Sequence, residues 1–460
     1  MTAWLKSTAL RNTLSVVGAL LATFSAVLFL VVFLADLFGL HTNPYIGIVF
    51  FLILPGFFLF GLLLIPFGAW IERRRRHGGK LTSDGLWPKF DLNDPAQRNA
   101  AAIVFVLTLA NIIIVSLASY RGIEYMDSVQ FCGQVCHEVM KPEYIAYQDG
   151  PHSRVSCVQC HIGPGASWFA RSKLSGTRQV FAVSLNTFSR PIPSPVQNLR
   201  PAREVCEQCH WPEKFHGDKV VKVYEYADDE PNTESVTTLD VHVGGGSERL
   251  GVATGIHWHM NVANEVEYIT TDDKRQVIPY VRLKDRNGNV REYFAEGVTP
   301  DQLAKGERRR MDCMDCHNRP SHPMAATPEK AVNAYMANGE IPKTLPFVHR
   351  EAVKALQVSY STQDAAVEGI SRELRDFYRA SFPQLYNARR QDIERAALAT
   401  GQLYRRNVFP EMHVQFGTYP NNIGHMDSPG CFRCHDDNHK TKDGQTISQD
   451  CDTCHHIEGS

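Results

Sequence analysis

Cys157-Val158-Gln159-Cys160-His161 is the stretch on which the reading of this 460-residue chain turns. Two cysteines separated by two residues, with a histidine directly after the second, recur at Cys206/Cys209/His210, Cys313/Cys316/His317, Cys431/Cys434/His435 and Cys451/Cys454/His455. A stretched relative, Cys132/Cys136/His137, has three residues between its cysteines. These six pairs use all 12 cysteines of the chain. The spacing lets two sulfurs form thioethers to both vinyl groups of one haem while the adjacent histidine reaches the iron. Disulfide frameworks and zinc knuckles also use C-x-x-C pairs, but neither requires a histidine after every pair. Six covalently bound haem c groups are the expectation.

Working outward toward the N-terminus, residues 14–35, 45–71 and 100–120 carry no charged side chain. Each run is long enough to cross a hydrocarbon core of about 30 Å at about 1.5 Å per residue, so three transmembrane helices are expected. The first run is too long for the apolar part of a cleaved secretory signal, and no small-residue cleavage site follows it. Pro55, Gly56 and Pro66 interrupt the second run, which membrane helices tolerate, and Trp70 beside the arginine cluster marks an interface. Lys6 and Arg11 precede the first run, Arg73 to Arg76 and Lys80 follow the second, and Arg98 precedes the third. The short segment around His41 and Asn43 has no Lys or Arg. The positive-inside rule then puts the N-terminus in the cytoplasm and everything after Arg121 on the periplasmic side of the inner membrane, the compartment of c-type haem attachment.

Overall charge is balanced, 48 basic against 49 acidic residues, and gives no sign of a nucleic-acid partner. The expected fold is three N-terminal transmembrane α-helices followed by a periplasmic multihaem domain, mostly α and irregular with a small β insertion. Its segments are 1–98 (two spans and a basic loop), 99–122 (third span), 123–219 (three motifs), 220–300 (β-rich, without cysteine) and 301–460 (three motifs and helices). Prolines at 191, 193 and 195 exclude helix and central strand there. Strands are expected over 220–226, 235–243, 277–283 and 290–294, with Asn287-Gly288 as a hairpin turn and Pro279 confining the third run to a sheet edge. Helical spacing predicts helices opening at Pro328-Glu329 and over 349–360, 363–380 and 383–406.

The third apolar run, then Phe131-Cys132 through His137, Met140-Lys141-Pro142-Glu143-Tyr144, Pro151-His152-Ser153 and the Cys157 motif, resembles the NapC/NirT/NrfH family of membrane-anchored quinol dehydrogenases over roughly residues 99–217. The whole layout resembles inner-membrane multihaem cytochromes of metal-reducing bacteria. The resemblance implies that the first haem lies at the membrane surface and takes electrons from quinol, with a methionine as axial ligand. The family pattern C-x-x-C-H-x-M becomes C-x-x-x-C-H-x-x-M here, so either His137 or Met140 is the axial residue, on a locally looped backbone. It also implies a lysine beside the quinol pocket, matched by Lys173 on an amphipathic helix over 168–188 that also carries Arg171 and Arg178. Gln179 stands where the family has an acid, and Asp127 and Glu138 are the substitute carboxylates for proton release.

Bis-histidine ligation needs partners for the motif histidines. His152 is the partner suggested by resemblance; His216, His257, His259, His322, His425 and His439 lie near motifs, with His257 and His259 able to serve two haems from one loop. His242, His349, His413 and His456 are further candidates. The expected function is oxidation of menaquinol or a related quinol and transfer of electrons to periplasmic c-type cytochromes or a terminal reductase, from an anchor in the lipid bilayer. A terminal reductase of the nitrite or hydroxylamine type, with one open haem, is the alternative. A zinc-binding module is the third reading.

Overall fold

The computed structural model describes residues 12–37, 53–76, 93–135, 137–196, 199–215, 217–245, 255–260, 264–285 and 287–458. The chain divides into two compact units, Met1–Cys136 and His137–Ser460.

The first unit contains α1 (Thr13–Leu37), α2 (Leu54–Arg76) and α3 (Pro95–Met126), all long and apolar enough to cross a membrane. Because lipid offers helices no hydrophobic incentive to associate, small residues that allow close backbone approach decide which surfaces meet. That is how α1 and α2 pack. A Cβ on Gly18 would lie 2.7 Å from the Gly61 carbonyl oxygen, and one on Gly61 would lie 2.7 Å from the Ala22 nitrogen. The Ser15 hydroxyl donates to the Ile65 carbonyl at 2.9 Å, adding a polar tie along the same seam. Pro66 is inside α2 without ending it. Residues 45–52 of the second expected span, and Lys6, Arg11, His41 and Lys80, lie outside the described residues.

After α3 the backbone enters a single π-helical turn, Phe131–Val135, with Gly133 buried inside it. A π turn closes over one more residue than an α turn. It therefore absorbs the extra residue of C-x-x-x-C, and replaces the expected loop with a helical bulge.

The second unit opens with α4 (His137–Gln148), α5 (Cys157–His161), α6 (Ala166–Ser184) and α7 (Ala202–Cys206). Two antiparallel sheets follow: β1 (Lys219–Tyr226) and β2 (Glu234–Val241) with β7 (His455–Ile457), in the order β1-β2-β7; and β3 (Glu265–Thr270), β4 (Tyr280–Lys284), β5 (Val290–Phe294) and β6 (Glu307–Arg310), in the order β5-β4-β3-β6. The expected edge strand is corrected. β4 lies between β5 and β3, and starts at Tyr280, so the missing N–H of Pro279 falls just outside the ladder. The Asn287-Gly288 turn forms between β4 and β5, with Gly288 at φ 82° and the Asp285 carboxylate accepting from the amides of Asn287 and Asn289.

The short helices α8 (Pro300–Lys305) and α9 (Cys313–Cys316) lead to a helical module of α10 (Pro328–Ala337), α11 (Val348–Leu356), α12 (Gln363–Ser381), α13 (Pro383–Ala388) and α14 (Arg390–Asn407). Thr327 and Thr362 cap α10 and α12, accepting from the amides of Lys330 and Ala365. Val332, Ile341, Leu345, Val348, Ile370, Leu374, Tyr378 and Ile393 are all fully buried in one core. The single helix expected over 383–406 is instead broken at Arg389, whose guanidinium binds the carbonyl and hydroxyl of Thr344 and the carboxylate of Asp392.

Candidate haem-ligating site

Each regular motif folds as a tight turn. In three of them the histidine amide donates to the carbonyl of the first cysteine: His210 to Cys206 at 2.8 Å, His317 to Cys313 at 2.8 Å and His435 to Cys431 at 3.0 Å. One helical turn between the two cysteines is what lets both sulfurs approach one ligand edge while the histidine follows beneath it. All eleven described cysteines are free thiols. Among the described residues no group of three His, Cys, Asp or Glu side chains is placed to hold a metal ion by itself.

The motifs are neighbours in chain order. α5 packs on α7, and α7 on α9. The thiols of Cys206 and Cys313 hydrogen-bond, which pushes Cys206 up and Cys313 down. Burial, then Cys157 and Cys209, raise Cys160; burial, then Cys431, raise Cys454. The spatial sequence thus runs from the Cys157 motif through Cys206, Cys313 and Cys431 to Cys451.

Opposite each regular motif histidine stands another histidine. Ring centres are 6.0 Å apart for His152 and His210, 6.3 Å for His322 and His161, 6.3 Å for His257 and His317, 5.8 Å for His259 and His435, and 6.2 Å for His425 and His455. Two imidazoles bonded to one metal from opposite sides, each at about 2.0–2.1 Å, have ring centres about 6 Å apart. The second nitrogens are already engaged. Nδ1 of His152 donates to the Pro320 carbonyl at 3.1 Å, His322 to Glu143 at 2.9 Å, His257 to Val243 at 2.9 Å, His259 to Ile256 at 2.9 Å and His435 to Ser448 at 2.8 Å. Such a bond fixes the ring and the tautomer, leaving Nε2 for iron. Burial lowers the pKa of His259 and His322, favouring the neutral imidazole that a metal requires. The side chains therefore fit haem at these motifs.

The pairing is interlaced. His152 precedes the Cys157 motif but faces His210, and His322 follows the Cys313 motif but faces His161. His257 and His259, two residues apart on the 3-10 turn Ile256–Met260 of the cysteine-free segment, face His317 and His435. The Tyr147 hydroxyl donates to the carbonyls of Ser153 and Val155, holding the His152 turn. The acceptors Pro320, Glu143, Val243, Ile256 and Ser448 act through backbone carbonyls, which have no sequence signature.

His439 is corrected as a candidate ligand. It is 2% exposed, and its two ring nitrogens bond the Asp436 carboxylate at 2.9 Å and the Ile278 carbonyl at 2.7 Å, leaving neither for iron. His216 lies outside the described residues. Among the further candidates, His242 is 3.2 Å from Asp218, His349 is buried with Nδ1 2.8 Å from Asp228, and His456 is 3.9 Å from Asp452; His413 is exposed at a left-handed backbone position.

In the irregular motif, Cys132 lies in the π turn, Cys136 is outside the described residues, and His137 begins α4 with Met140 one turn later in the same helix. Asp127 directly follows α3 in the first unit, its backbone amide donating to the Ile123 carbonyl at 2.9 Å; Glu138 is in the first turn of α4. Lys173 is on α6, its ammonium 4.8 Å from the Phe169 ring centre. Gln179 is six residues further along α6, about 120° away around the helix at about 100° per residue, and its amide donates to the Ser175 hydroxyl at 3.3 Å. Lys173 and Gln179 therefore do not share a face.

Residues 95–191 match the family model of the NapC/NirT cytochrome c family, N-terminal region. Over 452 residues the chain is 40% identical to the cytochrome c-type protein ImcH of Geobacter sulfurreducens, covering 98% of this chain and 88% of that protein. No solved structure matches the chain.

Proposed function

Because the chain belongs to the NapC/NirT family of c-type cytochromes, with ImcH as a relative along nearly its whole length, we propose that this membrane-anchored electron-transfer protein oxidises menaquinol or a related quinol and delivers single electrons to periplasmic acceptors. Haem c at six motifs would supply one-electron redox centres, letting a two-electron donor serve one-electron partners. The observation that carries the electron-transfer reading is the opposing histidine at every regular motif, with Nδ1 tied on one or both rings of four of the five pairs. Two protein ligands leave no position for nitrite or hydroxylamine, which weighs against the reductase reading.

The ring distances support these ligand pairs: His152 with His210, His322 with His161, His257 with His317, His259 with His435, and His425 with His455. The irregular motif takes His137 or Met140. The N-terminus is cytoplasmic and the second unit periplasmic.

The quinol site belongs near the irregular motif. α6 supports it: Phe169, Leu174, Val180, Phe181 and then Leu185 form an exposed apolar arc bordered by Arg171 and Arg178. In a membrane-anchored protein this composition favours a helix lying in the headgroup region. Lys173, which falls within that arc at about 100° per residue, would hydrogen-bond a quinol oxygen, and Glu138 would accept the proton that Gln179 cannot.

The test uses detergent-solubilised full-length protein and a reduced menaquinol analogue, with haem reduction followed at the Soret band. Reduction is expected, and Lys173→Met is expected to slow it at least tenfold while dithionite reduction stays complete. No reduction by any quinol would overturn the proposal.

A further inference from the structure

A buried guanidinium joins two neighbouring motifs. Arg433, the third residue of the Cys431 motif, is 9% exposed and donates through all three nitrogens to backbone carbonyls: Nε to Gly430 at 2.8 Å, Nη1 to Arg275 at 2.8 Å and Nη2 to Asp315 at 2.6 Å. Asp315 is the corresponding third residue of the Cys313 motif. One side chain therefore ties both motifs to each other and to the turn between β3 and β4. A lysine has no planar fork with which to hold three carbonyls at once. Among the described residues Arg433 has no carboxylate partner, so its charge is met only by carbonyl dipoles.

Asp315 is its counterpart of opposite sign. It is 2% exposed, and its carboxylate accepts from the Tyr268 hydroxyl at 2.5 Å and from the Asp312 amide at 2.8 Å, with Arg275 and Arg309 at 3.9 and 4.0 Å. Tyr268 is fully buried on β3, so the cysteine-free sheet reaches into the heart of the Cys313 motif. Asp315 directly precedes Cys316, and Arg433 directly precedes Cys434 while its guanidinium reaches the Asp315 carbonyl, so Arg433 lies beside the attachment points of both motifs.

We propose that Arg433 and Asp315 are a positioning pair that locks the Cys313 and Cys431 motifs together and sets their redox potentials in opposite directions. A haem gains negative charge on reduction. In a poorly screened interior a nearby cation stabilises that state and a nearby anion opposes it. The inference rests on haem attachment at these two motifs and is independent of which donor reduces the protein.

The test is a spectroelectrochemical titration of the purified full-length protein, with haem content measured alongside. Arg433→Gln keeps a donor but removes the charge, and is expected to lower the midpoint potential of at least one haem. Asp315→Asn is expected to raise one. Arg433→Lys retains the charge and should leave the potentials near wild type while weakening magnetic coupling between the two haems. A purely structural role moves the charge-removing variants in the same direction or not at all, and either result overturns the proposal. Should Arg433→Gln lose haem, Asp315→Asn and Arg433→Lys decide: potentials unchanged in the first, or lowered in the second, overturn it.

Discussion

The helical module of α10 to α14 and the stretch from Pro151 to Phe215 are made of the same chain but obey different rules. The module buries a continuous set of apolar side chains, thirteen of them completely. Along the described residues of 151–215, Ala202 is the one buried side chain. Apolar burial of about 25 cal/mol per Å² can hold the first region by itself. It cannot hold the second, whose order depends on what its cysteines and histidines bind. The difference separates a scaffold that folds from its own side chains from one that is completed by a prosthetic group.

The largest expected effect breaks the comparison at its root. With the cysteines of the Cys157 and Cys206 motifs replaced by alanine, residues 151–215 should lose amide-exchange protection almost entirely while α10 to α14 keep theirs; equal loss in both would refute the distinction. Next, His322→Ala should open one iron face at the Cys157 motif, seen as carbon monoxide binding by one reduced haem. His439→Ala should open none, since both of its nitrogens are already bonded. Inside the module, Leu374→Ala should cost about 2–5 kcal/mol in denaturant unfolding with haem spectra unchanged.

The smallest effect is spectroscopic. Ring planes are nearly perpendicular for His152/His210 at 81° and His259/His435 at 82°, but nearly parallel for His257/His317 at 7° and His425/His455 at 28°. Oxidised protein should therefore show both large-g-max and rhombic low-spin electron paramagnetic resonance signals; a single class would contradict these ring orientations.

The same contrast governs what could be read from the sequence. Helices of the module announced themselves through Pro328-Glu329 and helical apolar spacing, because their stability is local and amphipathic. The haem motifs and the three apolar spans were equally plain. The break at Arg389 was not, since it depends on Thr344, which is distant in sequence. β6, reading Glu-Arg-Arg-Arg, has no apolar alternation because it is an exposed edge, and β7 is a three-residue strand that exists only where β2 meets it. Histidine pairing is a tertiary property. Proximity in sequence favoured His439, which serves the fold, and gave no means of matching His322 to His161. The π turn was visible only as an anomaly in cysteine spacing.

The interlaced histidines also constrain how this gene can change. A chain cut anywhere between the Cys157 motif and His322 would still encode complete attachment sequences, yet leave the Cys157 motif without its opposing ring. Loss of His322 is thus transmitted backward to a site already synthesised. The Cys451 motif, whose partner His425 serves no other pair, can be shed alone, whereas the Cys157 motif survives only with the segment that carries His322. The order in which motifs can be lost is therefore set by the pairing and not by their order along the chain.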